Sequence, residues 1–196
     1  MISELNLTKT DFIIKINEQF YISDFKDGDQ DSLVKYLSVK QIYDQTLAIP
    51  YPYTLKDANW WINHNLSKKN DKINITTNWA IRKFFDHEIC GGIGFMDLVL
   101  DQTHKSELGY WLAEPFWNKG IMTEAVKKVT TFAFDNFKLE KVTANVFDFN
   151  LGSAKVLEKA GYQLEGILRK HYKKDGKIFD GKLYAKIKSD GYESKI

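Results

Sequence analysis

Cysteine is almost missing from this chain. Cys90 stands alone among 196 residues, so no intramolecular disulfide can form. A reducing compartment fits, and the thiol is expected to be buried. Histidine is sparse and dispersed: His64, His87, His104 and His171 show no ligand spacing, which argues against a metal site. No apolar run approaches the length of a membrane span, and Met1 to Lys9 lack the basic-then-apolar pattern of a secretory leader. The expected address is the cytoplasm. Neither sign of charge is in excess. The formal net charge is +2, without the overall basic footprint of a nucleic-acid binder. Proline is limited to three residues. Two of them, Pro50 and Pro52, fall in Leu47 to Thr54, an aromatic loop expected to be held extended by its X-Pro bonds.

What is present is ordinary for a globular protein, with 43% hydrophobic and 28% charged residues. The length suits one domain, residues 1–196, with its core at about 11–188 and a polar tail at 189–196. Short apolar or alternating runs predict strands at Phe12 to Ile16, Gln19 to Phe25, Asn78 to Phe85, Ile89 to Leu100, Glu107 to Ala113 and Lys141 to Phe149. Helical spacing predicts helices at Asp31 to Val39, Leu55 to Asn65, Thr123 to Phe137 and Leu151 to Ala160. Ser67 to Asn74 reads as a polar loop. Gly91, Gly92 and Gly94 read as sites of β-bulges. Tyr162 to His171 and Ile178 to Ile187 form a closing hairpin around Asp175-Gly176, a strong turn signal.

The stretch from Glu107 to Phe137 carries most of the chemistry. A strand stops at Glu114-Pro115, and a helix follows with Val126, Val129, Ala133 and Phe137 in helical register. Gly120 lies where the chain turns into that helix. The first N–H groups of a helix lack intrahelical partners and carry partial positive charge. Glycine lets a phosphate approach the backbone, and Lys119 adds a formal charge. The pattern fits a phosphate-bearing ligand and, equally, an ordinary glycine cap. It lacks the first glycine and the Lys-Ser/Thr pair of a P-loop, and it is not a dinucleotide G-x-G-x-x-G.

Gly109-Tyr110-Trp111-Leu112 followed by Pro115-Phe116-Trp117-Asn118-Lys119-Gly120-Ile121-Met122-Thr123-Glu124-Ala125 resembles motif A of the GNAT acetyltransferases. It is most similar to the Rim-type branch, the ribosomal-protein N-terminal acetyltransferases, which reads GYW-(I/L), then P-x-(F/W)-W-G-K-G-x-A-T-E-A. Asn118 departs at a usual glycine and Met122 at a usual Ala or Gly, so the Met122 side chain must point away from the ligand. The order of elements is similar to that fold along about the whole chain. The resemblance implies an α/β fold of the GNAT type, a mixed, strongly twisted sheet with helices on both faces. It implies acetyl-CoA as cosubstrate, no metal, and direct acetyl transfer to a primary amine, either a protein N-terminal amine or a small molecule. It also implies the coenzyme contacts. Lys119, Gly120, Ile121, Met122 and Thr123 hold the pyrophosphate through backbone N–H groups, with Trp117 and Asn118 beside them. Leu112 and Ala113 pair with the pantetheine amides as an extra strand would.

Asn150-Leu151-Gly152-Ser153, then Lys159-Ala160-Gly161-Tyr162, resembles the family's N-x-x-S followed by K-x-G-F. On their own, Asn150 is a helix N-cap and Ser153 lies in the first turn. In the family these side chains face the pantetheine and the sulfur. Many members place a tyrosine seven residues after this Asn as acid to the leaving thiolate. Leu157 stands there, and the Rim branch points to Ser153 instead. Glu107 reads either as an exposed strand carboxylate or as the general base that takes a proton from the substrate ammonium. Some Rim relatives carry a glutamate near Tyr172, and this chain does not. Arg169 to Lys174 is a basic run, either a solvated hairpin end or a device to recruit an acidic substrate. Tyr51, Tyr53, Trp60 and Trp61 either pack core and loop or wall the acceptor pocket. Two other readings of the whole chain are a non-catalytic CoA-binding or sensing module and an RNA-associated adaptor using the basic hairpin. The expected partners are an amine acceptor, no membrane and no nucleic acid, with a monomer or homodimer as the working form.

Overall fold

The computed structural model describes residues 12–69, 77–96, 98–99 and 102–190. The N-terminal segment, most of the loop expected at Ser67 to Asn74, and the tail beyond 190 lie outside the described residues. The elements run β1 (Ile13–Lys15), β2 (Phe20–Ser23), α1 (Gln30–Leu37), α2 (Lys40–Gln45), α3 (Leu55–Lys69), β3 (Asn78–Lys83), β4 (Ile89–Met96), β5 (Lys105–Leu112), α4 (Ile121–Asn136), β6 (Lys141–Phe147), α5 (Leu151–Lys159), β7 (Gln163–Lys174) and β8 (Lys177–Ile187). The strands form one sheet in the order β1-β2-β3-β4-β5-β6-β8-β7. Neighbours are antiparallel except β5 and β6, which are parallel.

Strand β3 shows why the sheet is covered on both faces. Its residues Trp79 to Arg82 are all buried, and successive side chains point to opposite sides. Trp79 and Ile81 join a core with Val126, Val129 and Phe134 of α4 and Leu157 of α5. Ala80 joins a second core with Leu33 and Leu37 of α1, Ile42 of α2 and Ile62 of α3. Each fully buried Leu or Ile contributes about 1.5–3 kcal/mol. Arg82 is the polar exception. Its Nη1 and Nη2 fork onto Asp29 at 2.7 and 2.6 Å, and its Nε donates to Ser23 Oγ at 2.7 Å. That buried pair ties the loop before α1 to the sheet.

Several boundaries differ from the sequence expectation. Helix α2 is not predicted by periodicity. It is six residues long with Ile42 as its buried residue, too short to show a helical repeat. Helix α3 runs on to Lys69, past the expected stop at Asn65. The aromatic loop before it bends at 47–49 and 51–52, so it is not extended throughout; its Tyr51–Pro52 bond is cis. The bulge in the β3–β4 hairpin does not sit at a glycine. Ile81 pairs with Gly91 and Arg82 with Ile89, which leaves Cys90 as the extra residue. The glycines of β4 serve cross-strand packing instead. A Cβ on Gly92 would lie 2.5 Å from Nε1 of Trp111, its partner on β5. Only glycine leaves room for that indole against the strand. The β7–β8 turn behaves as expected: Asp175 and Gly176 have φ of 48° and 73°, as a two-residue primed turn requires.

Candidate active site

Strands β5 and β6 pair only over Lys105–Glu107 with Lys141–Thr143. Beyond that, β5 follows β4 up to Leu112 and β6 follows β8 up to Phe147. Each strand keeps its outer neighbour, and sheet twist carries the two apart. A cleft of about 1640 Å³ opens at the gap.

The α4 end of the cleft is a backbone anion site. Gly120 is the N-cap with φ 75°, and no side chain caps the helix. The first intrahelical bond runs from Glu124 N–H to the Gly120 carbonyl at 3.1 Å, so the N–H groups of Ile121, Met122 and Thr123 have no partner within the helix. All three residues are buried, and Ile121 and Met122 join the core. Met122, which departs from the family pattern, is buried in the core and also borders the cleft. A Cβ built on Gly120 meets nothing within 4 Å, which shows open space in front of the turn. Asn118 also has a left-handed backbone, φ 59°. Asparagine tolerates that conformation better than other residues with a Cβ, which explains how it can stand where glycine is usual. Lys119 is exposed, with its ammonium 5.7 Å from the centre of the Phe116 ring.

The β5 backbone corrects one expectation. Ala113 N–H donates to the Cys90 carbonyl at 2.8 Å, and its own carbonyl accepts from Phe116 N–H at 3.0 Å. Both of its backbone groups are used within the protein, so Ala113 is not an extra-strand partner. Antiparallel pairing alternates along a strand, which turns the N–H groups of Leu112 and Tyr110 toward the gap. The Leu112 carbonyl accepts from Trp117 Nε1 at 2.6 Å. Trp117 thus fastens the end of β5 and uses its indole N–H in doing so.

On the α5 side, Asn150 is the N-cap, its Oδ1 accepting from Ser153 N–H at 3.0 Å. Its Nδ2 donates to the Gln45 carbonyl at 3.4 Å. Asn150 therefore places Ser153 and joins α5 to the end of α2. Ser153 Oγ lies 2.8 Å from Tyr110 Oη, which also reaches the Ser153 carbonyl at 3.2 Å. Burial raises the Tyr110 phenol above its ordinary pKa, opposed in part by the Ser153 hydrogen bond. Leu157 is fully buried in the core. Tyr110, on strand β5, brings a phenol to Ser153. Sequence reading missed this contact of Tyr110, although Tyr110 sits inside the quoted motif.

Glu107 and Trp111 lie on the opposite face of β5 from Tyr110. Asn145 Nδ2 donates to Glu107 Oε2 at 2.8 Å. Among the described residues, Asn145 Oδ1 is one of two buried side-chain polar atoms without a hydrogen-bond partner. Tyr172 packs at a tilt against Phe147, ring centres 4.4 Å apart. Burial, then the charge of Glu107, pushes the Tyr172 phenol up to about 12. Tyr53, Trp60 and Trp61 line the same cleft. Tyr53 and Trp61 also belong to the core beneath it, so these aromatics serve core and pocket wall together. Tyr51, half exposed, packs on Tyr43 at the rim.

The basic run is not simply solvated. The Lys174 ammonium sits 3.6 Å from the centre of the Tyr43 ring and donates to the Tyr43 and Thr46 carbonyls at the end of α2. Burial lowers its pKa. Tyr43 Oη in turn donates to Asp175 at 2.6 Å. The hairpin tip and α2 are joined beside the cleft. Cys90 is buried, and burial pushes its thiol up to about 12, so it is not a nucleophile. Among the described residues no cluster of His, Cys, Asp and Glu could hold a metal, and no helix is long and apolar enough to cross a membrane.

The model of the acetyltransferase (GNAT) domain matches residues 19–163. Over 105 residues the chain is 38% identical to the probable N-acetyltransferase YjcK of Bacillus subtilis (strain 168), covering 54% of this chain and 58% of that protein. It is 33% identical over 111 residues to the uncharacterized N-acetyltransferase YoaA of the same organism, covering 56% and 62%. The match thus spans under two thirds of each relative. Among solved structures, ribosomal-protein-S5-alanine acetyltransferase of Vibrio fischeri superposes with a TM-score of 0.79 at 21% identity, covering 92% of this chain and 98% of that one. The microcin C7 self-immunity acetyltransferase MccE, solved with acetyl-CoA and AMP, gives 0.75 at 21% identity, covering 89% and 95%. At such identities these two show a shared fold. With the parted strands, the uncapped α4 N-terminus and a family match over most of its length, this chain belongs to the GNAT acetyltransferase family.

Proposed function

We propose that the chain transfers the acetyl group of acetyl-CoA to a primary amine by direct attack in the β5–β6 cleft. One observation carries the reading: where β5 and β6 part, Glu107 stands on one face of β5 and the Tyr110–Ser153 pair on the other. A base and a hydroxyl donor thus flank one gap. The residues present suit the coenzyme. The free N–H groups of Ile121 to Thr123 and the open space before Gly120 fit a pyrophosphate. The N–H of Leu112 fits an amide of an extended arm. Acetyl-CoA supplies the acetyl group as an activated thioester.

Glu107, held by Asn145, takes the ammonium proton and frees the nitrogen lone pair. The gap-facing N–H of Tyr110 polarises the carbonyl. Ser153, positioned by Tyr110 and by the Asn150 cap, donates a hydrogen bond toward the leaving sulfur. The nitrogen bonds to the thioester carbon, the C–S bond breaks, and the departing thiolate takes up the second nitrogen proton, so an amide and a thiol form with no covalent enzyme species needed. The acceptor is a small amine or a protein N-terminus. The test is amine-dependent release of free thiol from acetyl-CoA by the purified protein. Tight acetyl-CoA binding with no thiol release from any amine would instead leave a coenzyme-binding module.

A further inference from the structure

The acceptor end of the cleft has a composition that narrows its substrate, provided that the acetyl-transfer reading above holds. Six aromatic side chains line it: Tyr53, Trp60 and Trp61 from the α3 region, Trp111 across Gly92, and Phe147 with Tyr172 opposite. Among the described residues lining the cleft, the lysines belong to the α4 and α5 end, at positions 119, 127, 155 and 159. Among the described lining residues, the charged groups left at the aromatic end are two carboxylates, Glu107 and Asp57, with the charge of Lys56 also acting on Asp57. Hydrogen bonds from the Thr54 hydroxyl and backbone hold the Asp57 pKa below the ordinary carboxylate range. Lys174, beside the rim, is fixed to the α2 carbonyls and faces the Tyr43 ring, so it does not offer its charge to a substrate.

We propose that the acceptor is a small primary amine carried on an aromatic or bulky apolar group, with no carboxylate beside the amine. Three physical points support this class. An ammonium meets Glu107, whose carboxylate is held by Asn145. The aromatic faces take an apolar body and also attract the ammonium itself. A substrate carboxylate would lie near the like charge of Glu107, with no lysine or arginine among the described residues lining that end to pair it, which is costly. The junction of α2 with the hairpin tip closes the rim on that side, which favours a compact amine over a chain that must run through.

The test compares kcat/KM for 2-phenylethylamine, phenylalanine, putrescine and a short peptide beginning with Phe, using thiol release. We expect 2-phenylethylamine to exceed each of the others by about tenfold or more. Trp60→Ala, at an exposed position, and Tyr172→Ala should each raise its KM about fivefold with acetyl-CoA affinity unchanged. Equal or faster turnover of phenylalanine, the diamine or the peptide overturns the acceptor class and leaves acetyl transfer standing. So does an unchanged KM in both variants. No thiol release from any amine, with acetyl-CoA bound, overturns both readings.

Discussion

The hydroxyl of Tyr110 lies 2.8 Å from Oγ of Ser153, joining strand β5 to helix α5 across the mouth of the coenzyme cleft. The pair offers one shared donor to a leaving sulfur. A thiol with a pKa of about 8.5 is already a tolerable leaving group near neutral pH, so the donor need supply little. Ser153→Ala should lower kcat about tenfold, equivalent to about 1.4 kcal/mol of barrier. Tyr110→Phe should cost a similar factor, and the double variant little more, because the two hydroxyls act as one unit. Steady-state kinetics of all three variants with one good acceptor provides the check. Independent, multiplying losses would count against a shared donor.

Placing the tyrosine on the helix should not help. Leu157 is fully buried among core side chains, and a ring there must overpack. Leu157→Tyr is expected to lose about 1–3 kcal/mol of stability without a gain in rate. Thermal unfolding and turnover decide it. A faster enzyme would mean that the core can open toward the sulfur.

Glu107→Gln keeps the shape and removes the base. The rate should fall by about 10²–10⁴-fold, while calorimetric acetyl-CoA affinity stays close to wild type. Asn145→Ala, which removes the hydrogen bond to Glu107, should give a smaller loss in the same direction. A wild-type rate for Glu107→Gln at neutral pH would assign proton removal to solvent, leaving the protein to align amine and thioester.

Gly120→Asp adds a negative charge before the α4 N-terminus and forces a side chain onto a backbone with φ 75°. Acetyl-CoA binding should collapse. Gly120→Ala carries the same backbone strain, about 1–2 kcal/mol, without the charge, and should retain binding in part. Circular dichroism confirms the fold, and calorimetry separates the two effects. Equal affinity for Gly120→Asp and wild type would place the pyrophosphate elsewhere.

Cys90 should resist alkylation. With its thiol pushed up to about 12 and its side chain buried, almost no thiolate exists at pH 8. Thiol-reactive dye should label the protein only on unfolding, in step with the denaturation curve. Rapid labelling of the native protein would contradict the burial.

Much of the α4 region was legible in the chain itself. Glycine before a helical repeat defines an N-terminus with unpartnered N–H groups whatever surrounds it, because that property is local to the backbone. The Asp175-Gly176 turn and the Asn150 cap were legible for the same reason. The order of strands and helices followed from periodicity, which depends only on residues near one another in sequence. The choice of partners across the sheet did not. Helix α2 has one buried residue and is held by Lys174, far along the chain. The parting of β5 from β6 arises because each strand keeps a different outer neighbour. Strand parity directed Ala113 to Cys90 and left Tyr110 and Leu112 facing the gap. The meeting of Tyr110 with Ser153, 43 residues apart, and of Glu107 with Asn145, 38 residues apart, exists only once register and helix packing are set. Sequence determined which groups have the chemistry; tertiary structure decided which of them share a cleft, because contact depends on register and twist accumulated over the whole sheet.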